Sequence, residues 1–212
     1  MNKIEIKNHL IPSGYETRVF FIDDKPLYEY FNEWFESKDY KGYKLSNPDE
    51  LEITWTDNYV FEGEARFMRF ALEQNNAITP ILSCPEDFDF SCVVIVADVI
   101  KHEDKVIWKR IGMVDHKYES FDEEKRSGIL CIEEYTDEDW QLYGDNIALE
   151  KVDSPAWCEW ISENWDEEIY RRLKNYCYKS YQDENHILWF KECNFTFNRS
   201  EYDEVIRSCY TE

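Results

Sequence analysis

Residues Thr136 to Asp145 read TDEDWQLYGD, with four carboxylates and two aromatic rings in ten positions. Such a stretch could bind a divalent cation, supply catalytic carboxylates, or face a basic partner. A calcium loop of the EF-hand kind needs oxygen ligands at positions 1, 3 and 5, glycine at 6 and glutamate at 12. Counted from Asp137, Asp139 suits position 3, but Gln141, Leu142 and Ala148 stand at positions 5, 6 and 12. No calcium loop is expected. Locally the stretch predicts a helix start, with Thr136 as cap and Asp137, Glu138 and Asp139 in the first turn. There the positive end of the helix dipole favours carboxylates.

Other reactive side chains are thinly spread. Cys84 and Cys92 are separated by seven residues with no histidine close by, whereas structural zinc takes closely spaced pairs. These cysteines are expected to be small buried groups. His102 and His116 are isolated from each other; Cys84 could meet either only through the fold, so spacing supports no Cys–His nucleophile. No G-x-S-x-G, H-E-x-x-H, P-loop or dinucleotide fingerprint occurs, and the six glycines are scattered, which disfavours a backbone cradle for phosphate. With 46 acidic residues, two carboxylates will be neighbours whatever the function, so glycosidase-like pairs carry no weight. No catalytic residue, cofactor or metal is assigned, and the chain is expected to be a binding protein rather than an enzyme.

The charge is the outlier. Against 46 acidic residues stand 24 basic ones, a net −22, while 43% hydrophobic and 17% aromatic content is ample for a core. Nucleic acid and anionic membrane surfaces are therefore unsuitable partners. The acid is also unevenly placed. Residues 133–168 hold 13 acidic side chains and one basic one, Lys151, whereas residues 169–212 hold seven of each. Tyr135, Trp140, Tyr143, Trp157, Trp160 and Trp165 lie in the same span. Aromatic anchors within an acidic rim suit a partner of opposite charge. The expected contact residues are Asp137, Glu138, Asp139, Trp140, Tyr143, Glu159, Glu163, Asp166, Glu167 and Glu168. The competing reading is a solvated set of helix faces that serve solubility.

Composition thus points to a basic protein as partner, with a bacterial immunity protein or antitoxin against a nuclease-like toxin as the most natural case. An adaptor or structural subunit is the alternative, and a small-substrate hydrolase using carboxylates a second one. Seven cysteines with no C-x-x-C, no run of about 20 apolar residues, and no signal-like start lead to the expectation of a reduced, cytoplasmic protein.

The elements that must position this span can be read from periodicity. Strands are predicted at 3–7, 16–23 and 50–55. Leu27, Tyr30, Phe31, Trp34 and Phe35 form one helical stripe. Residues 62–75 are ambiguous: Ala65, Met68, Ala71 and Leu72 suit a helix, but Phe67 and Phe70 lie partly off that face. The apolar run 92–100, the turn KHEDK and the return 106–114 predict a long hairpin. A strand at 129–133, helices starting at Ser154 and Asn164, a strand at 187–197 and a helix capped by Ser200 complete the reading. In that last strand Ile187, Trp189, Cys193, Phe195 and Phe197 are placed on one face. The elements do not alternate, so the expected fold is α+β in one domain, 1–212. Its sheet is mostly antiparallel, includes a long central hairpin (about 92–114), and carries helices on one side.

Overall fold

The computed structural model describes residues 1–36, 45, 47–59, 62–85, 93–114 and 184–210. All of them belong to one compact unit formed by Met1–Asp115 and Asp183–Glu212. The fold is α+β, with two antiparallel sheets. Strands β1 (Ile4–Leu10), β2 (Glu16–Ile22) and β3 (Lys25–Pro26) make a small sheet in that order. Strands β4 (Glu52–Ile53), β5 (Asn76–Ser83), β6 (Val94–Lys101), β7 (Lys105–Val114) and β8 (Ile187–Asn198) make a larger one, also in chain order. Helices α1 (Leu27–Glu36), α2 (Glu62–Glu73) and α3 (Arg199–Ser208) complete the described elements, with a 3₁₀ turn at Glu184–His186.

Local chemistry explains the connections. Asp23 and Asp24 both take positive φ, 50° and 64°, and form the two-residue turn between β2 and β3. Short acidic and amide side chains tolerate that left-handed backbone, and it matches the twist of hairpin strands. The β1–β2 turn places Gly14 at φ +94°, and its N–H donates to the Ile11 carbonyl at 2.9 Å. The predicted hairpin is the centre of the large sheet, β6 paired with β7 from Ile95↔Met113 to Lys101↔Val106.

The helices lie on one face of this sheet. Val99, Trp108 and Phe195 form a cross-strand row on that face, and Lys101, Val106 and Phe197 form the next. Tyr30 of α1 meets Phe195, Tyr202 of α3 stacks on Phe197, and the Leu72 carbonyl of α2 accepts from Lys101. Phe20 of β2 and Trp55 close the same core, with ring centroids 4.8 Å apart. The Trp108 Nε1–H donates to the Tyr202 hydroxyl and the Trp55 Nε1–H to the Pro80 carbonyl, each at 3.1 Å. Burying indoles with their donors satisfied avoids the cost of a lost hydrogen bond.

Several local expectations need correction. Residues 62–73 are a helix, and Ala65, Met68, Ala71 and Leu72 are its buried stripe. The strand expected at 50–55 pairs only at Glu52 and Ile53. Strand β5 has no counterpart in the sequence reading; Pro80 lies within it, and a register shift between Pro80 and Leu82 accommodates the proline. In β8, shifts opposite Trp108–Arg110 and Ile111–Gly112 break strict alternation. Phe190 therefore packs on Phe31 of α1, while Trp189 sits under Arg110. The cap of α3 is Asn198, not Ser200: its Oδ1 accepts from the Ser200 and Glu201 amides. In α1, Tyr28 is buried with Leu27 and Phe31, and Tyr30 only half-buried, because Tyr28 packs with Val19 and Phe21 of β2 and with Ile11 of the β1–β2 turn. The strand at 129–133 and the helices from Ser154 and Asn164 lie outside the described residues.

Candidate functional site

The ten predicted contact residues, Asp137, Glu138, Asp139, Trp140, Tyr143, Glu159, Glu163, Asp166, Glu167 and Glu168, lie outside the described residues. What the fold does show is where the chain carrying them departs and returns. Val114 at the end of β7 pairs with Ile187 at the start of β8. The acidic span is therefore inserted between two hydrogen-bonded strand ends.

A charged cluster sits beside the point of return. The Arg110 Nε–H donates to Asp98 Oδ2 at 2.8 Å, its Nη2 pairs with Glu184, and its guanidinium lies 4.0 Å from the Trp189 ring centroid. The guanidinium holds the Glu184 carboxyl below the usual carboxylate range. Planar stacking with forked donation is what arginine offers and lysine does not. The single guanidinium holds both carboxylates, which ties Glu184 to the sheet.

Lys101 is the most perturbed cation among the described residues. It is 8% exposed, and its ammonium donates to the Leu72 carbonyl in the last turn of α2. Gln74 serves the same helix end, its backbone N–H meeting Ala71 O at 3.3 Å and its side chain Phe70 O at 3.1 Å. Lys101 thus supplies one of the donors that a helix C-terminus lacks. Burial pushes its pKa down to about 8, aided by Arg199, while Asp203 and Glu73 oppose the shift. A depressed lysine contributes stability that is present above its unfolded pKa of 10.5 and lost as pH falls through about 8. At neutral pH the buried charge therefore costs on the order of 3 kcal/mol. We expect Lys101→Met to be more stable than the parent at pH 7, with the difference shrinking by about 2 kcal/mol by pH 10. Urea unfolding of both proteins at the two pH values measures this. A difference that does not change with pH contradicts it. Comparing variants is necessary, because Cys193, the buried Tyr202 and the half-buried Tyr210 have raised pKa values and lose stability at alkaline pH.

Of the described thiols Cys209 is buried, while Cys193 and Cys84 are half-buried, so Cys84 is not the fully buried group expected from the sequence. Burial pushes Cys193 up to about 11, and its Sγ donates to the Trp108 carbonyl at 3.3 Å. A thiol held protonated is a poor nucleophile. Cys209 is buried and donates to Val205 O. Among the described residues no group of three or more His, Cys, Asp or Glu side chains is arranged to hold a metal. Cys92 and His116 lie outside those residues. His9, which the sequence gave no reason to single out, places Nε2 3.1 Å from the Tyr28 hydroxyl and its ring edge-on to Phe21.

The combination sought in the acidic span, apolar groups among acids, does occur on described residues. At the β1–β2 turn Leu10 is 68% and Tyr15 42% exposed. Asp49 accepts from the Ser13 amide and hydroxyl, at 3.2 and 2.8 Å, which fixes the 47–50 segment against the turn. The Tyr15 phenol is pushed up by burial and by the charges of Glu50, Glu52 and Asp49. Glu52 is itself raised by burial. Sequence reading missed this site because its residues are about 35 positions apart and only the hairpin and the Ser13–Asp49 bonds unite them. A second feature is an open cleft of about 640 Å³ between β1 and α3.

Comparison with protein-family models, with curated proteins and with solved structures finds no match to this chain. The chain is an acidic α+β protein whose described residues build a five-stranded and a three-stranded antiparallel sheet. No described helix is long and apolar enough to cross a membrane.

Proposed function

We propose that this protein binds a basic protein and neutralises it, as a bacterial immunity protein or antitoxin does for a nuclease-like toxin. One observation carries the reading: 133–168 concentrates 13 acidic residues against a single lysine, interleaved with six aromatic residues. Nuclease toxins need basic surfaces to engage polyanionic substrates, so an acidic surface with aromatic anchors is complementary to them. Charge speeds the encounter, and the desolvated rings provide the hold once the complex forms. Cytoplasmic placement belongs to the same reading, since such an inhibitor must meet the toxin where the toxin acts. The acidic turn around Tyr15 supports it with the same chemistry on a second element.

The reading is tested with the product of the reading frame adjacent to this gene. Expressed alone in a host cell, that product is expected to stop growth. Co-expressed with this chain, it is expected to be tolerated and to co-purify with it. Growth arrest that this chain does not relieve removes the proposal.

A further inference from the structure

Rings that stand beside carboxylates are used repeatedly in one way by this fold. The Lys7 ammonium lies 5.0 Å from the Phe21 ring centroid and pairs with Glu5 at 2.7 Å. Lys25 lies 4.2 Å from the Tyr30 ring and pairs with Glu33 at 2.5 Å. Arg69 lies 5.2 Å from the Tyr210 ring and pairs with Asp57. Arg110 does the same between Trp189 and Asp98. In each case the ring face attracts the cation and the carboxylate holds it.

Tyr15 has the same kind of surroundings, and no cation of this chain serves it among the described residues. Burial first, and then the charges of Glu50, Glu52 and Asp49, push its phenol up. None of these carboxylates forms an ion pair with a described residue. Asp49 and Glu50 meet neutral donors instead, Ser13 and the Asn47 side-chain amide. Glu52 is half-buried, and that burial raises its carboxyl. A half-buried carboxylate without a counter-charge is costly, and a cation brought to it relieves that cost. The turn is also fixed beforehand. Ile11 is 2% exposed, its N–H donates to Tyr15 O at 3.0 Å, and the Ser13–Asp49 bonds hold 47–50 against it. A fixed site loses little conformational entropy on binding.

We infer that Tyr15, Glu50 and Glu52 take up an arginine side chain of a partner protein, its guanidinium lying on the phenol ring and its N–H groups donating to the carboxylates. Arginine suits this site better than lysine, because its planar fork stacks on a ring and donates in several directions at once. Leu10, 68% exposed on the same turn, adds an apolar contact for the same partner. The inference rests on the basic-partner reading for the sign of the partner's charge, and it places a second point of recognition outside 133–168. A second copy of the chain is the less suitable occupant, because it brings another −22 of like charge.

The experiment adds two synthetic probes to the full chain, acetyl-(Arg-Gly)3-amide and the same peptide with citrulline for arginine, which keeps the shape and removes the charge. The arginine peptide is expected to shift the amide resonances of Tyr15, Glu50 and Glu52, and to lower the Glu52 carboxyl pKa as followed by carbon NMR. The citrulline peptide is expected to do neither. Tyr15→Leu keeps apolar bulk without the ring and should weaken arginine-peptide binding by about threefold. Glu50→Gln with Glu52→Gln should weaken it by about tenfold. Should that double variant fail to fold, Tyr15→Leu and the Glu52 titration in the parent decide the matter. Arginine-peptide binding that leaves these resonances unmoved, or that both variants retain in full, overturns the Tyr15 site. It leaves the basic-partner reading intact, since that is tested with the adjacent reading frame's product. Absence of binding, or equal binding of the citrulline peptide, overturns the site too.

Discussion

Replacing Trp108 with alanine is expected to lower the unfolding free energy by about 4 kcal/mol, and the melting temperature by roughly 10 °C. Two separate losses add up to this. Trp108 is fully buried and meets Phe20, Trp55, Phe197 and Tyr202, rings drawn from both sheets and α3, at centroid distances of 5.3 to 6.3 Å. Removing the indole opens a cavity among rigid neighbours that cannot collapse to fill it. It also deprives the wholly buried Tyr202 hydroxyl of its 3.1 Å donor. Trp108→Phe separates the two. It keeps much of the volume but no donor, and should cost about half as much. Equilibrium urea unfolding of the three proteins gives the numbers. A loss below about 1 kcal/mol for the alanine variant would show that Trp108 does not hold the sheets and α3 together.

The parts of this fold that sequence revealed are those where one physical signal dominates. The run 92–100 is apolar apart from Asp98 because β6 is largely buried, and its return is unambiguous, so the central hairpin was readable. The alanine, methionine and leucine spacing of α2 carries a signal of the same kind, but Phe67 and Phe70, partly off that face, left 62–75 ambiguous in sequence. Where two signals compete, the pattern misleads. Pro80 counts against a strand until the register shift beside it is known. The shifts opposite Arg110 and Ile111 exchange the faces of Trp189 and Phe190, and no residue-level propensity announces them. Asn198 and Ser200 are both good caps, and the choice follows from where β8 ends.

Candidate sites were less legible than the fold. The acid in 133–168 stands out because it is contiguous in sequence. The acidic turn around Tyr15 does not, because Leu10, Tyr15 and Asp49 come together only through the hairpin and the Ser13–Asp49 bonds. Lys101 reads as an ordinary turn lysine in KHEDK, yet the fold buries it against the end of α2.

The central claim is that the acidic span recognises a basic protein through charge, and its most direct measurement is an association rate. Asp137, Glu138 and Asp139 are to be changed together to lysine, and stopped-flow association with the adjacent reading frame's product followed from low to high salt. Reversing three charges takes the span from −12 to −6. Steering by a local field is screened over about 10 Å at 0.1 M salt, so the parent's rate should fall steeply as salt is added. The variant is expected to associate on the order of tenfold more slowly at low salt, with a clearly flatter salt dependence, and to converge on the parent at high salt. Equal rates for parent and variant across the whole salt series would contradict the account.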